Sequence, residues 1–505
     1  MLAQVTSFAL DGVESRRVTV EADIRGGLPA FNVVGLADKA VREARERVRA
    51  AIVNSGFEFP SKRITVNLAP AYLRKVGPAF DLPLAVAVLA ASGQVDTDLA
   101  DWAFGGEVGL QGELRPVRGA LALAEGTRRH CLGRLMLPRG RAREAALVEG
   151  VEVVGVESLR EAVDVLCGRA EPPPLPPPAA DTAREDADAP DLADVRGQNG
   201  LIEPLVIAVA GAHNLYLHGP PGTGKTMLAR RIPTLLPPMT REEAIEVTRI
   251  HSVAGLHDGD GLIEERPFRA PHHLISPSGL VGGGATPQPG EVTLAHNGVL
   301  FLDELSEYPR STLDALRTPL EDGRIVIVRS QRVLAFPTRC MLVAASNPCP
   351  CGREEDRCGC SATELARHRR RLSGPMLDRL DITLGVHRPS AEALRDQVAP
   401  RSAVVRERVV EARERQRRRY AGTGIRCNGE LTGAALRRLA RVTPSAMRLL
   451  YEAHDREGLS ARGHHRVLRV ARTIADLAGS AEVGPEHVRA AVVLRMDATE
   501  QAAAA

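Results

Sequence analysis

A glycine-rich loop in the middle of the sequence constrains the fold of this chain more than any other feature. Residues 219–226 read G-P-P-G-T-G-K-T, which is the spacing of a phosphate-binding P-loop. Glycines let such a loop curl so that backbone N–H groups point at phosphate oxygens, where a β-carbon would obstruct. We therefore expect the whole loop to bind a nucleotide, through Gly219, Pro220, Pro221, Gly222, Thr223, Gly224, Lys225 and Thr226.

A second motif, about eighty residues further on, supplies the acidic group that a P-loop requires. Residues 299–302 are apolar and lead directly into Asp303 and Glu304, a pattern typical of a buried strand that ends at an active site. We expect Lys225 to contact the β- and γ-phosphates, while Thr226 and Asp303 hold Mg²⁺. Glu304 is expected to polarise the attacking water as general base. The two motifs predict hydrolysis of a nucleoside triphosphate.

The segments on either side of the loop predict an α/β fold. Residues 214–218 read N-L-Y-L-H and indicate a buried strand, and residues 227–232 indicate a helix. The N-terminus of that helix would face the phosphates, where its unpaired N–H groups and its dipole favour negative charge. A bare P-loop pattern occurs by chance, and the apolar strand that ends in Asp303 and Glu304 makes a coincidence improbable here.

The composition is that of a globular protein. The 505 residues suggest about three domains at roughly 150 residues each, and 44% of them are hydrophobic. Aromatic residues make up 3% of the chain, so stacking of bases on rings is not expected to dominate any contact with nucleic acid. The net charge of +3 is too small to indicate a polyanionic partner by itself. Without an apolar run of eighteen residues or a signal-like N-terminus, we expect a cytoplasmic protein with no membrane contact.

Composition also divides the chain. A proline-rich and then acidic stretch between residues 169 and 190 cannot pack a core and predicts an extended linker, with a polyproline ligand as the alternative. Before it, residues 17–23 and 63–68 alternate as strands do, and 38–53 has helical spacing. We expect an N-terminal domain over 1–168, the linker over 169–190, an ATPase core over 191–388 and a helical domain over 389–505.

Several further segments resemble one known family. They are 266–273, 289–298, 34–43, 459–462 and 471–477, which read R-P-F-R-A-P-H-H, P-G-E-V-T-L-A-H-N-G, V-G-L-A-D-K-A-V-R-E, L-S-A-R and A-R-T-I-A-D-L. Together with the P-loop they resemble the YifB/ComM family, in the magnesium-chelatase-like branch of the AAA+ ATPases, over nearly the full length. The resemblance implies ATP as the triphosphate and a ring-forming homo-oligomer, expected to be a hexamer. It also implies a branch-migration helicase acting on single-stranded or branched DNA in recombination and natural transformation.

The same resemblance implies a fold: an AAA+ core with a C-terminal helical lid, preceded by a Lon-protease-like α+β domain. In active Lon-type proteases a serine follows a Gly-Pro pair and a lysine activates it. Here the corresponding stretch, 76–81, reads V-G-P-A-F-D, with Ala79 at the position of the serine. The lysine position is Leu121. We therefore expect this domain to have no peptidase activity and to bind DNA or organise the ring.

Further site residues follow from the resemblance. Asn347, after the apolar segment 342–346, corresponds to the sensor of the γ-phosphate or the lytic water. Arg379 corresponds to an arginine finger acting on the neighbouring subunit, and a planar guanidinium suits that task. Arg462 corresponds to the second sensor in the lid. Val195 and Gln198 correspond to the segment that flanks the adenine.

A hairpin is predicted over residues 325–336, with Arg329 and Arg332 at its polar turn. In this branch of the ATPases such a hairpin projects into the central pore of the ring. The two arginines would then contact the phosphate backbone of DNA, which attracts cations regardless of sequence. The alternative interpretation is a solvated turn.

Cys349, Cys351, Cys358 and Cys360 lie within twelve residues. Crowded cysteines in a cytosolic protein indicate a metal, and four thiolates would satisfy tetrahedral Zn²⁺. The spacing differs from the usual C-x2-C pairs, and free thiols or a redox pair are the alternatives. The histidines around residues 251–296 lack ligand spacing and receive no role.

Two other functions compete with a motor on DNA. A magnesium-chelatase ATPase subunit would drive metal insertion or protein remodelling, but such a subunit usually lacks the Lon-like domain. An inert scaffold is the second alternative, and the complete set of hydrolytic residues argues against it. Dependence of ATP turnover on DNA separates the motor from both.

Overall fold

The computed structural model describes residues 1–36, 38–175, 190–259, 261–284, 287–329, 332–353, 358–371, 374–396, 398–457 and 459–496. Most of the predicted linker and the alanine-rich end of the chain lie outside these ranges. The described residues fall into two compact units. The first, the N-terminal unit, takes those of 1–184, 241–263 and 328–336, and the second, the ATPase unit, takes the others.

The strands of the described residues are, in chain order, β1 (Leu2–Asp11), β2 (Glu14–Arg25), β3 (Ala30–Val34), β4 (Arg63–Ala69), β5 (Trp102–Phe104), β6 (Glu107–Val108), β7 (Leu114–Arg115), β8 (Arg134–Pro138), β9 (Glu152–Val156), β10 (Leu215–His218), β11 (Phe268–Arg269), β12 (Val299–Leu302), β13 (Arg324–Arg329), β14 (Arg332–Pro337), β15 (Met341–Ser346) and β16 (Ile382–Gly385).

The helices are α1 (Lys39–Asn54), α2 (Asp81–Ala91), α3 (Ala120–Arg129), α4 (Arg139–Ala145), α5 (Leu159–Leu166), α6 (Ile202–Gly211), α7 (Lys225–Leu235), α8 (Arg241–Ala254), α9 (Pro277–Val281), α10 (Glu291–Leu294), α11 (Arg310–Ala315), α12 (Arg317–Asp322), α13 (Ala362–Arg371), α14 (Gly374–Leu377), α15 (Ala391–Asp396), α16 (Ser402–Arg419), α17 (Gly433–Leu439), α18 (Pro444–Glu457), α19 (Ala461–Leu477) and α20 (Pro485–Met496).

The N-terminal unit is built on a mixed sheet in the order β3-β4-β2-β1-β5-β8-β9. β2 pairs antiparallel with β1 and β4, and the outer pairs are parallel. In β2 the buried side chains alternate with exposed ones, because successive residues of a strand face opposite sides of the sheet. The strands predicted at 17–23 and 63–68 and the helix at 38–53 are confirmed by β2, β4 and α1.

Helix α8 belongs to the N-terminal unit, although in the chain it follows the P-loop helix. Its Ser252 hydroxyl accepts a 3.0 Å hydrogen bond from the Gly119 backbone and donates one to the buried carboxylate of Glu144. The Arg249 guanidinium lies 3.0 Å from Glu125 of α3. Glu144 also accepts a hydrogen bond from the backbone of Leu121 at 2.9 Å. Because a buried carboxylate needs such partners, this network holds α8 on α3 and α4.

The ATPase unit contains a parallel sheet in the order β11-β12-β15-β10-β16. β10, β12 and β15 are buried along their whole length, as expected of parallel strands covered on both faces. They and α7 confirm the strands and the helix predicted around the P-loop. In a parallel sheet all strands end at the same edge, so the residues after β10, β12 and β15 lie together.

The C-terminal helices pack against this sheet through a charged anchor. Asp381 precedes β16 and is buried; its carboxylate lies 3.1 Å from Arg469 and 3.5 Å from Arg466, both in α19. Burial opposes ionisation of Asp381, yet its pKa is lowered because Arg469, His213 and Arg466 attract the carboxylate. A buried carboxylate with several cationic partners fixes the position of α19 on the sheet.

The predicted hairpin is confirmed as a two-stranded sheet of β13 and β14. Its tip, residues 330 and 331, lies outside the described ranges, as do the side chains of Arg329 and Arg332. Across the part of the chain that the structure describes, every helix is too short or too polar to cross a bilayer.

Candidate nucleotide-binding site

The loop between β10 and α7 has the backbone conformation that its glycines predict. Gly222 and Gly224 have φ values of 75° and 93°, which side chains with a β-carbon rarely adopt. At Gly219 a β-carbon would lie 2.0 Å from the Val386 carbonyl oxygen, so no larger residue fits. The loop leads directly into the N-terminus of α7 at Lys225, which favours an anion at this position.

Lys225 sits at the centre of the loop. Its ammonium donates hydrogen bonds to the carbonyl oxygens of Gly219 at 2.6 Å and Pro220 at 2.8 Å, and to the side-chain oxygen of Asn347 at 3.2 Å. Burial lowers the pKa of Lys225, while the negative charge of Asp303 acts in the opposite direction. The ammonium is therefore held at the end of the sheet, where it can serve phosphate oxygens.

Thr226 and Asp303 meet at the same edge. The Thr226 hydroxyl donates a 2.7 Å hydrogen bond to the Asp303 carboxylate, which follows β12 directly. A hydroxyl and a carboxylate are hard oxygen ligands of the kind that Mg²⁺ prefers. The residues present therefore fit a magnesium ion bound between the P-loop and the acidic strand.

Glu304 has a left-handed backbone with φ of 50°, which is uncommon for a residue other than glycine. Its side chain is about half exposed, and its Oε2 lies 3.3 Å from Nδ1 of His273. The backbone N–H of Glu304 donates to the Asp303 carboxylate at 2.9 Å. The half-exposed carboxylate is accessible to a water, and His273 is a contact that the sequence did not indicate.

Asn347 follows β15 and joins the site from the neighbouring strand. Its side-chain oxygen accepts the hydrogen bond from Lys225, and its backbone oxygen lies 3.0 Å from Nε2 of His368 in α13. Asn347 therefore connects the P-loop with α13, and its role as a sensor stays a prediction.

Gln198 and Val195 are predicted to flank the adenine, and Gln198 contacts the loop directly. The Gln198 amide donates to the carbonyl oxygens of Thr223 at 3.3 Å and His387 at 2.7 Å. Val195 is fully buried in the core of the unit. Gln198 therefore helps to hold the loop in place, and Val195 contributes to the core beside it in the chain.

The two predicted arginines converge on a glutamate in α12 rather than on the P-loop. The Arg379 guanidinium lies 2.7 Å from the Glu321 carboxylate, and that of Arg462 lies 4.0 Å from the same oxygen. Arg379 is almost buried, whereas the side chain of Arg462 is 61% exposed. Within one chain, Arg379 and Arg462 thus form a cluster with Glu321 that is separate from the P-loop. No pattern in the sequence indicates Glu321.

The four clustered cysteines come together in space. The sulfur of Cys349 lies 3.2 Å from that of Cys351 and 3.6 Å from that of Cys358, and Cys351 and Cys358 are 3.8 Å apart. With Cys360, all four sulfurs lie within 4.8 Å of one another. None of these cysteines forms a disulfide.

The fold and the site are those of the AAA+ class of P-loop nucleoside triphosphatases. Three family descriptions match successive parts of the chain: "Subunit ChlI of Mg-chelatase" over residues 20–141, "Magnesium chelatase, subunit ChlI" over 191–394 and "Magnesium chelatase, subunit ChlI C-terminal" over 399–495. The matches span both the N-terminal sheet and the ATPase unit.

Relatives that match over the full length identify the family more closely. The chain is 43% identical over 507 residues to the competence protein ComM of Haemophilus influenzae, covering 98% of this chain and 97% of that protein. It is 42% identical over 500 residues to the protein YifB of Escherichia coli, again covering 98% and 97%. This chain belongs to the YifB/ComM family of magnesium-chelatase-like ATPases.

A shorter match concerns a protease. The chain is 29% identical over 142 residues to Lon protease 2 of Bacillus subtilis, covering 26% of each protein. Of the residues that would take part in Lon-type chemistry, Ala79 has no hydroxyl and Leu121 is a buried apolar side chain.

Proposed function

We propose that this protein is a ring-forming ATPase that uses ATP hydrolysis to move on DNA. The observation that carries the proposal is the convergence of Lys225, Thr226, Asp303 and Asn347, joined by hydrogen bonds of 2.7 and 3.2 Å. These residues come from three segments of the chain and supply the cation, the metal ligands and the polar sensor that phosphoryl transfer requires.

Each residue of the site has its own role in the proposed hydrolysis of ATP. Lys225 neutralises charge on the β- and γ-phosphates. Thr226 and Asp303 would hold Mg²⁺, which would supply positive charge for the phosphate oxygens. Glu304 accepts the proton of the attacking water, whose position Asn347 fixes by hydrogen bonding. Gln198 and Val195 support the loop and the base.

Assembly completes the active site in this proposal. Arg379 acts on the nucleotide of the neighbouring subunit, as the family resemblance implies; within its own chain its guanidinium lies 2.7 Å from the Glu321 carboxylate. Arg462, in the helical lid, acts as the second sensor. An active site shared between subunits requires a head-to-tail interface, which forms either a ring or a filament. The family resemblance favours a closed ring of six subunits.

DNA is the proposed track of this motor. The relative ComM is named for competence, and the family resemblance implies branch migration of single-stranded or branched DNA during natural transformation. The hairpin of β13 and β14 would carry Arg329 and Arg332 to the phosphate backbone in the pore. The proposed setting is the cytoplasm, where ATP and recombining DNA are both present.

The N-terminal domain, over residues 1–168, is proposed to be Lon-like and without peptidase activity. The partial likeness to Lon protease 2 supports the first point. Alanine at position 79 cannot attack a peptide bond, and leucine at position 121 cannot accept a proton. After the linker over 169–190 and the core over 191–388, residues 389–505 form the proposed lid.

A second candidate is a chelatase-type ATPase subunit that drives metal insertion or protein remodelling. It is favoured by the family descriptions, which name magnesium chelatase over both the core and the C-terminal helices. The full-length match to ComM, which includes the N-terminal sheet, favours the DNA motor.

A strand-exchange assay distinguishes the two candidates. The purified protein is incubated with ATP and a labelled three-stranded junction, and product formation is followed on a gel. A motor on DNA converts the junction only with hydrolysable ATP. A chelatase-type subunit leaves the junction intact while its ATP turnover responds to a partner protein instead.

A further inference from the structure

The cysteine cluster has the dimensions of an occupied metal site. With Zn–S bonds of about 2.3 Å, tetrahedral geometry separates the sulfurs by about 3.8 Å. The three measured separations are 3.2, 3.6 and 3.8 Å. A disulfide would bring one pair to about 2.05 Å, and no pair among the four approaches that distance.

The cluster is also attached to the nucleotide site. Cys349 follows Asn347 by two residues, and Gly352 packs on the P-loop so closely that a β-carbon there would lie 2.9 Å from Pro221. After Cys360 the chain enters α13, whose His368 contacts the backbone oxygen of Asn347. The cysteines thus close a loop whose two ends both meet Asn347.

We propose that Cys349, Cys351, Cys358 and Cys360 bind one Zn²⁺ ion, and that this ion holds Asn347 and Pro221 in the positions needed for nucleotide binding. Binding releases the thiol protons to solvent, and the four sulfurs donate electron pairs to the metal without any change of oxidation state. The ion has no open coordination position and is structural. The second half of the proposal rests on the proposed ATPase function, and the first half stands without it.

Metal content tests the site directly. The full-length protein is purified without added zinc and without a metal-affinity tag, and its metals are measured by mass spectrometry. We expect about one zinc per chain in the natural protein, falling at least tenfold in Cys358→Ser/Cys360→Ser. The matched control Cys131→Ser/Cys167→Ser, which changes two cysteines far from the cluster in sequence, should keep its zinc.

A second measurement needs no variant and covers the case in which the double substitution prevents folding. Protein grown with Co²⁺ should show the intense sulfur-to-metal absorption and the visible bands of a tetrahedral four-thiolate centre. Protein without zinc and without these bands, or zinc that persists unchanged in Cys358→Ser/Cys360→Ser, overturns the proposed site.

Binding of a fluorescent ATP analogue tests the link to the P-loop. Removal of zinc from the natural protein should weaken binding by about tenfold, and restored zinc should recover it, since outer-shell support of a site has effects of this order. If the affinity for the ATP analogue stays the same after zinc is removed, the ion does not hold Asn347 and Pro221 in place for nucleotide binding. If the zinc-loaded protein binds the analogue but never hydrolyses ATP, the metal site stands and the proposed function fails.

Discussion

The Thr226 hydroxyl donates a 2.7 Å hydrogen bond to the Asp303 carboxylate, although 77 residues separate the two in the chain. The contact brings the N-terminus of α7 and the end of the buried strand β12 together. Both oxygens suit Mg²⁺, and the ammonium of Lys225 lies beside them. The proposed chemistry depends on this small cluster at the edge of the parallel sheet.

Replacement of Lys225 should abolish function without unfolding the protein. In Lys225→Ala the P-loop carbonyls lose their donor and the phosphates lose their cation, so we expect ATP turnover to fall by at least about 100-fold. Steady-state hydrolysis and binding of a fluorescent ATP analogue measure the change. Lys62→Ala, at an exposed position in the N-terminal unit, is the control and should behave as the natural protein does. Substantial turnover in Lys225→Ala would place the active site elsewhere.

His273 is predicted to position the general base. Its ring lies 3.3 Å from the Glu304 carboxylate, and Glu304 has a strained backbone that needs such support. In His273→Ala we expect kcat for ATP to fall by about tenfold, less than the loss of the general base itself would cause, while KM changes little. The neighbouring His272→Ala should have a smaller effect. A rise in KM at unchanged kcat would show that His273 binds nucleotide instead.

The elements around the P-loop could be predicted because each has a local signal. β10, β12 and β15 are continuous apolar runs, and the glycine spacing of the loop fixes a strand before it and a helix after it. The rule that parallel strands end at one edge then brings Asp303 and Asn347 to Lys225. Their positions follow from the pattern, while their roles in catalysis stay predictions.

Contacts between distant segments carry no such signal. Glu321 meets Arg379 across loops with no shared motif, and His273 meets Glu304 in the same way. The membership of α8 in the N-terminal unit depends on Ser252, which reads in the sequence as an ordinary polar residue of an amphipathic helix. Tertiary packing determines these contacts, and a single sequence has no local pattern that indicates them.

Stability should fall as the pH decreases from about 6.5 towards 4. Burial lowers the pKa values of His213 and His218 to about 4, and for His213 the attraction of Asp381 only partly opposes this. Below the unfolded pKa of about 6.5 the unfolded chain takes up protons that the folded chain refuses. The stability that the two neutral histidines contribute is therefore complete above about pH 6.5, and it is lost as the pH falls towards their folded pKa of about 4. Between these two pH values each histidine lowers the free energy of unfolding by about 1.4 kcal/mol for every pH unit of acidification.

Melting curves between pH 7 and pH 5 test this expectation. The melting temperature of the ATPase unit should fall with pH in the natural protein, and the fall should be smaller in His213→Gln. His465→Gln, at a half-buried position in α19, is the matched control. Equal pH dependence in all three proteins would mean that folding does not lower the pKa of His213.

Mixing two inactive variants tests the shared active site. Lys225→Ala keeps Arg379 but has no working P-loop, and Arg379→Ala keeps its P-loop but lacks the finger. If Arg379 acts on the neighbouring subunit, mixed rings contain some interfaces with both groups. We expect the mixture to hydrolyse ATP several-fold faster than the sum of the two variants alone. Turnover equal to that sum would contradict action in trans.

The most direct test of the DNA motor is ATP turnover measured with and without single-stranded and branched DNA. The account predicts that DNA raises the turnover of the natural protein several-fold, and that Glu304→Gln binds ATP but shows neither basal nor stimulated hydrolysis. The Glu307→Gln protein, changed three residues away, should retain the stimulation. Turnover that is the same with every DNA would contradict the account and favour the chelatase-type alternative.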